Sequence, residues 1–186
     1  MTQFSVIGVV GLPASGKTSV VKAMVDLGAS RIRMGSIIWK EAKRRGLKIN
    51  EKNVGKIANE LRNRGGLDVI AKRCIPIARG EGRESKVVVI DGIRGSQEVK
   101  AFKEAFDDYF YLVSVDASEK TRFSRIKARG RKDDSSDWEA FQRKNRRELK
   151  WGLEEAMKLA DFSIVNEGTL EDLRAQATEI FEKVVG

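Results

Sequence analysis

Histidine is absent from the 186-residue sequence, and cysteine and proline are scarce. Without an imidazole, mechanisms that need a histidine base, a histidine metal ligand or a histidine-paired nucleophile are excluded. The one cysteine, Cys74, offers no intrachain disulfide or zinc site, and its apolar surroundings predict a buried side chain. With two prolines and 41% hydrophobic residues, the composition indicates an ordinary globular protein and argues against disorder.

Long hydrophobic runs are also missing. The first apolar run, residues 4–10, has the length of one strand, follows no basic segment and is too short to span a bilayer. We therefore expect a cytoplasmic protein without a membrane partner.

Acidic side chains are the minority charge, with 27 Asp and Glu against 36 Lys and Arg, for a net charge of +9. Such an excess suits phosphate-rich ligands, and it also fits nucleic acid or an anionic surface. The sign of the charge does not distinguish among these partners.

Apolar runs alternate with helical patterns along the chain, which predicts βαβ units and a parallel sheet covered by helices. Residues 87–90 and 111–115 are almost continuously apolar, as expected for strands buried on both faces. Five strands are predicted near residues 4–10, 30–34, 86–90, 109–115 and 162–165. The predicted fold is α/β, with one three-layer domain over residues 1–186.

Two segments stand apart from this alternation. A long, basic, helical stretch separates the second and third predicted strands, and we interpret residues 35–80 as an inserted helical flap. A polar segment, residues 130–136, interrupts the later helices, so residues 125–140 are either a mobile lid or a solvated loop. Thr169 followed by Glu171 and Asp172 predicts the start of a capped final helix.

A phosphate-binding pattern follows the first predicted strand directly and opens a predicted helix. The pattern G-x-x-x-x-G-K-[ST] is matched by Gly11, Leu12, Pro13, Ala14, Ser15, Gly16, Lys17 and Thr18. This spacing lets backbone N–H groups and the helix N-terminus surround the β and γ phosphates of a nucleotide. We expect Lys17 to reach the phosphates and Thr18 to ligate Mg²⁺, with ATP as the nucleotide; a glycine-rich turn is the alternative.

Asp91 ends the strand predicted at residues 86–90, at the edge where ligands bind to open parallel sheets. An aspartate there holds Mg²⁺, either directly or through water, or accepts the proton of an incoming hydroxyl. The structural alternative is a cap for the turn that follows, because Asp-Gly is a common turn pair.

With these residues, the chain resembles the small-molecule kinases that include adenylate kinase and dephospho-coenzyme A kinase. Specifically, it resembles an archaeal nucleotide-kinase-like P-loop family. The resemblance implies a P-loop NTPase fold and an acceptor-binding role for Gly35 and Ser36. It also implies that Arg94, in the segment Asp91, Gly92, Ile93 and Arg94, grips the acceptor phosphate. Residues 160–170 resemble the last strand and turn of dephospho-coenzyme A kinases.

The same resemblance implies that arginines near the lid neutralise the transferring phosphoryl group. Arg125 and Arg129 lie one helical turn apart and share a face, so we expect these two to act, ahead of Arg122 and Arg131. A solvated basic helix face is the alternative.

The chain departs from adenylate kinase in its acceptor segment, where Ser36 and Trp39 stand in place of an acid and an arginine. The acceptor therefore need not be adenosine monophosphate, and Arg33 and Lys40 are nearby candidates for the missing contact. The three tryptophans lie in predicted helices, where we expect core packing.

The sequence thus predicts a Mg²⁺- and ATP-dependent kinase that acts on a nucleotide-like small molecule, as a monomer or homodimer. The rival prediction is a nucleic-acid-associated ATPase or switch without a small-molecule acceptor. The basic cluster at residues 143–147 fits RNA contact, although a solvated face is the commoner use.

Overall fold

The computed structural model describes residues 4–129 and 137–186, with the side chains of Glu51 and Arg129 left out of the description. Within these residues the chain forms a five-stranded sheet in which all the strands are parallel, flanked by helices. The strands are β1 (Ser5–Val10), β2 (Ser30–Arg33), β3 (Val87–Asp91), β4 (Phe110–Asp116) and β5 (Phe162–Val165). The fold class and the five strands predicted from the sequence are confirmed.

Helices cover both faces of the sheet. In chain order they are α1 (Lys17–Asp26), α2 (Gly35–Arg44), α3 (Glu51–Gly65), α4 (Val69–Glu81), α5 (Ser96–Phe106), α6 (Glu119–Arg129), α7 (Trp138–Lys150), α8 (Leu153–Lys158) and α9 (Leu170–Val185). None of the helices in the described part of the chain is both long enough and apolar enough to cross a bilayer.

The strand order is β2-β3-β1-β4-β5, with β1 in the centre. β2 and β3 lie on one side of β1, and β4 and β5 lie on the other side. The central strand β1 is buried on both faces: Val6 and Val10 join one hydrophobic cluster, and Ile7 and Val9 join the other. Because side chains alternate across a strand, a sheet covered on both faces requires this continuous apolar sequence.

Two helix ends have the caps that their sequences favour. Asn50 accepts a hydrogen bond from the Asn53 N–H at 2.8 Å and so begins α3. Thr169 and Asp172 form a reciprocal capping box at α9, as the sequence predicts. Cys74 is buried, and burial raises the pKa of its thiol to about 12, which makes it an inert core residue.

The two segments singled out from the sequence differ in how much of each the structure describes. Residues 35–80 contain α2, α3 and all but the last residue of α4, and these helices lie between β2 and β3 in the chain. Of the predicted lid, residues 125–140, the part from 130 to 136 lies outside the described residues, and Arg131 lies there too.

Candidate functional site

The loop between β1 and α1 is shaped by its glycines. Gly11 and Gly16 have φ values of 156° and 111°, in the region that side chains rarely adopt. A Cβ atom on Gly11 would overlap the carbonyl oxygen of Val115, and one on Gly16 would overlap the side-chain nitrogen of Asn166. The loop therefore lies directly against β4 and the turn after β5.

Several polar groups of this loop are available to a ligand. The N–H groups of Lys17 and Thr18 lie in the first turn of α1, where a helix provides no internal acceptor. The Ser15 hydroxyl is buried without a hydrogen-bond partner among the described residues. Ala14 adopts a left-handed φ of 63°, an unusual conformation for a residue with a side chain. These features fit a cradle for a polyphosphate.

Lys17 bends back over the loop in this structure. Its ammonium group donates hydrogen bonds to the carbonyl oxygens of Gly11 at 2.6 Å and Leu12 at 2.8 Å. Burial lowers the pKa of Lys17 to about 8, an effect that the nearby Glu148 and Asp91 carboxylates oppose. A phosphate in the loop would give this lysine an anionic partner in place of two neutral oxygens.

Two arginines of α6 support the loop from outside. Arg122 is 4% exposed, and its guanidinium donates to the carbonyl oxygen of Pro13 at 3.2 Å and to Asn145 Oδ1 at 2.8 Å. Arg125 donates to the carbonyl oxygens of Asn166 at 3.0 Å and Ser15 at 3.5 Å. Asn166 Nδ2 also donates to Ser15 O at 2.8 Å, so the turn after β5 completes this support.

These contacts locate the arginines that were singled out from the sequence. Arg125 lies on the side of the loop that faces Asn166, and Arg122 donates to the carbonyl oxygen of Pro13. The side chain of Arg129 is outside the described residues. The catalytic role expected of Arg125 and Arg129 stays a prediction.

Asp91 lies at the carboxyl end of β3, in register with Val9 of β1 and Arg33 of β2. The neighbouring strands thus bring Asp91 beside the start of the phosphate-binding loop and beside the start of α2. Its carboxylate forms an ion pair with Arg31 and is largely buried. Thr18 is exposed at the mouth of the loop. Thr18 and Asp91 therefore stay the candidate ligands for Mg²⁺.

A cavity of about 660 Å³ opens on the other side of Asp91. Its wall combines cationic, acidic and aromatic side chains from α2, α3, α7 and the turn after β3. The predicted acceptor residues Arg33, Gly35 and Arg94 all line it, whereas the Ser36 hydroxyl is used to donate to the carbonyl oxygen of Arg33 at 2.7 Å.

Two ion pairs cross this cavity wall. Arg94 contacts Glu148 of α7 at 2.9 Å, and Arg62 of α3 contacts Glu98 of α5 at 3.3 Å. Glu98 is 2% exposed and also accepts a hydrogen bond from the Arg94 backbone N–H at 2.7 Å. Burial raises the pKa of Glu98, and its hydrogen bonds with Arg94 and Arg62 oppose that rise.

Two tryptophans complete the wall. Trp151 follows the last residue of α7 and is 39% exposed, with the guanidinium groups of Arg62, Arg94 and Arg147 each within 6.0 Å of its ring centroid. Arg33 lies 5.4 Å from the ring of Trp39. The expectation of core packing is therefore wrong for Trp151, whose indole faces the cavity with its cations, and also for Trp138, which is 43% exposed.

The family of the chain follows from its similarity to known sequences. The model of an AAA domain family matches residues 10–142, which include the phosphate-binding loop and Asp91. The chain is 39% identical over 175 residues to the UPF0200 protein of Methanosarcina barkeri, covering 94% of this chain and 93% of that protein. The chain belongs to the UPF0200 family, and the archaeal P-loop resemblance read from the sequence is confirmed.

A relative from Archaeoglobus fulgidus, the UPF0200/UPF0201 protein, is 44% identical over 182 residues. The match covers 98% of this chain and 56% of that protein, so the chain spans little more than half the length of this relative.

Solved structures with the same fold include three proteins of low sequence identity. The TT1252 protein of Thermus thermophilus has a TM-score of 0.70 at 17% identity, with 99% of this chain and 100% of that chain covered. A shikimate kinase from Bacteroides thetaiotaomicron gives 0.63 at 14% identity, with 97% and 98% covered. A dephospho-CoA kinase from Campylobacter jejuni gives 0.56 at 18% identity, with 97% of each chain covered. The chain thus has the P-loop kinase fold.

Proposed function

We propose that this protein is a Mg²⁺-dependent kinase that transfers the γ-phosphoryl group of ATP to a nucleotide-like acceptor. A nucleoside monophosphate and a coenzyme A precursor are the two acceptors that we favour. One observation carries the proposal: a phosphate-binding loop lies on one side of Asp91, and a cation-lined cavity lies on the other side. Two substrates held in this way would meet beside Asp91 and Lys17.

On the donor side, the loop amides and Lys17 would hold the β and γ phosphates and stabilise charge on the transferring group. Thr18 and Asp91 would hold Mg²⁺, Asp91 directly or through a water molecule. When bound, Mg²⁺ would neutralise the charge that develops on the phosphate oxygens. Phosphoryl transfer needs little covalent help from the protein, so the absence of histidine is no obstacle.

On the acceptor side, the size and chemistry of the cavity fit an anionic molecule with a ring. A volume of about 660 Å³ is typical of a small-molecule site. Arg33 and Arg94 offer guanidinium groups, which match the geometry of phosphate oxygens. The rings of Trp39 and Trp151 offer flat apolar surfaces on which a base can stack.

The structural neighbours support a small-molecule acceptor in general terms. Shikimate kinase and dephospho-CoA kinase share the fold of this chain, although a shared fold does not fix the acceptor. We expect a cytoplasmic monomer or homodimer.

A transfer assay tests the proposal. Purified protein is incubated with Mg²⁺ and γ-labelled ATP and with a panel of nucleoside monophosphates, nucleosides and coenzyme A precursors, and labelled acceptor is measured. We expect transfer to one member of the panel and a loss of about 10²-fold or more in Lys17→Ala, because the lysine contacts phosphate in the transition state.

The control is the circular dichroism spectrum of Lys17→Ala, which should match that of the wild type because Lys17 belongs to neither hydrophobic cluster. Slow hydrolysis across the whole panel, combined with salt-sensitive RNA binding, would favour the rival ATPase or switch. Unchanged transfer by Lys17→Ala would contradict the assignment of the loop.

A further inference from the structure

Glu148 is a buried carboxylate in the acceptor cavity whose cationic partner is the arginine expected to bind the acceptor. Glu148 as a whole is 8% exposed, and its Oε1 atom lies 2.9 Å from Nη1 of Arg94. Arg94 itself is 46% exposed in its side chain, so the arginine faces incoming solutes while the glutamate lies behind it. An anion that enters the cavity would compete with Glu148 for Arg94.

Three carboxylates line the cavity among the described residues, and two of them are held by other groups. Asp91 forms its ion pair with Arg31. Glu98 accepts from the Arg94 backbone N–H at 2.7 Å and pairs with Arg62, and it is 2% exposed. If an acceptor anion takes the Arg94 guanidinium, the carboxylate that loses its partner is Glu148.

We propose that Glu148 accepts the proton of the acceptor hydroxyl and becomes available for this when the acceptor's own anionic group takes Arg94. The proposal rests on the kinase function proposed above and deepens it. It requires an acceptor that carries both a hydroxyl and an anionic group. In the free protein, Glu148 is paired with Arg94 and is not available as a proton acceptor. Binding of such an acceptor breaks this ion pair.

The chemical step is balanced without any further reactant. The acceptor oxygen forms a bond to the γ-phosphorus as its proton passes to the Glu148 carboxylate. The bond from the γ-phosphorus to the β,γ-bridging oxygen breaks, and ADP leaves with that electron pair. Because the chain contains no histidine, a carboxylate is the natural proton acceptor at this position.

The electrostatics of the loop are consistent with this position of Glu148. Of the carboxylates that oppose the lowering of the Lys17 pKa by burial, Glu148 has the largest effect, ahead of Asp91. Glu148 is therefore close enough to the lysine to influence its charge, although it lies on α7 and lines the acceptor cavity. A carboxylate of the acceptor cavity thus also influences the pKa of Lys17 in the loop.

The first test is a calorimetric titration that measures the affinity of the free protein for inorganic phosphate. Glu148→Gln removes the competitor for Arg94 and keeps the side-chain size, so we expect phosphate to bind about tenfold more tightly. The double variant Glu148→Gln with Arg94→Gln should lose this gain, whereas phosphate bound in the nucleotide loop contributes equally to both proteins. Glu139→Gln on α7, whose side chain is 82% exposed, is the matched charge control and should bind as the wild type does.

The second test measures turnover with whichever acceptor the transfer assay identifies. In Glu148→Gln we expect kcat to fall about 10²-fold while the acceptor KM stays level or falls, because the anion now meets an unpaired Arg94. A purely structural role for Glu148 would instead lower the melting temperature and raise KM as kcat falls. Glu139→Gln should keep both constants.

The outcomes separate the two proposals. Equal phosphate affinity in the wild type and Glu148→Gln, or a gain that persists without Arg94, would overturn the exchange of partners. Wild-type kcat in Glu148→Gln would overturn the proton-acceptor role. If the wild type transfers phosphate to no acceptor, the kinase function and the proton-acceptor role both fail, and the titration still decides the exchange at Arg94.

Discussion

The phosphate-binding loop and the acceptor cavity are held by different kinds of contact. The loop is supported by Arg122 and Asn166, which donate to the loop carbonyl oxygens of Pro13 and Ser15. The cavity wall is instead joined by ion pairs between side chains, such as Arg94 with Glu148. Contacts to backbone oxygens fix one conformation of the loop, whereas an ion pair can exchange one partner for a ligand. We therefore expect the donor site to be preformed and the acceptor site to rearrange.

Among the substitutions that test this difference between the loop and the cavity, we expect the largest effect from Arg122→Met. The methionine keeps much of the volume but leaves the carbonyl oxygens of Pro13 and Ala117 and the Asn145 side chain without their buried donor. Unsatisfied buried polar groups cost about 1–3 kcal/mol each, so we expect a loss of about 3 kcal/mol in unfolding free energy, measured by urea denaturation.

Lys120→Met is the control for this substitution, because it removes one positive charge from an exposed position of the same helix. We expect it to change the unfolding free energy by less than about 0.5 kcal/mol. Equal effects of the two variants would mean that the guanidinium of Arg122 does not stabilise the loop.

Arg94→Gln tests the other side of the comparison. The variant removes the guanidinium that faces the cavity and leaves Glu148 buried without its ion-pair partner. We expect the acceptor KM to rise about 30-fold and the ATP KM to change much less, because the hydrogen bonds that support the loop come from Arg122, Arg125 and Asn166 and not from Arg94. Steady-state kinetics with each substrate varied in turn measure both constants.

Arg79→Gln is a matched control, since Arg79 is an exposed arginine that contacts Ala105 and Phe106 and does not line the cavity. It should leave both KM values at the wild-type level. If Arg94→Gln raised the two KM values equally, the donor and acceptor sites would not be separate in the way that their contacts indicate.

The sequence predicts the conformation of the loop between β1 and α1 well because that loop is local. Eight consecutive residues supply the loop, and their glycine spacing reflects backbone geometry that only glycine adopts, as the φ angles of Gly11 and Gly16 now show. Asp91 and Arg33 could also be singled out from the sequence, because the carboxyl ends of parallel strands lie at one edge of the sheet. The fold followed from the same alternation of strands and helices.

The acceptor half was harder to predict because it depends on how distant helices pack. Phe141, Asn145 and Glu148 lie at i, i+4 and i+7 on the buried face of α7, which is a pattern that the sequence does contain. The abundance of lysine and arginine around these positions obscured it and suggested a solvated or RNA-binding face. Trp151 was missed for a related reason, since its exposure to the cavity depends on where α7 ends.

The smallest expected effect concerns the link between α2 and α3, both of which line the cavity. Arg45, which follows the last residue of α2, contacts Glu41 of that helix at 2.7 Å and Glu60 on α3 at 2.5 Å. Among the described residues, the neighbouring Arg44 forms an ion pair only with Glu41. The Arg45 and Glu60 side chains are 26% and 29% exposed, and ion pairs that water reaches in this way contribute little to stability.

Arg45→Gln should therefore leave folding nearly unchanged but loosen α3 relative to α2, with a rise of about threefold in the acceptor KM and no change in the ATP KM. Arg44→Gln removes the same charge from the adjacent residue and keeps the link to α3, so it should behave as the wild type does. Because the two variants differ in the contact with Glu60, a shared response would show that net charge near the cavity, and not the connection between the two helices, controls acceptor binding.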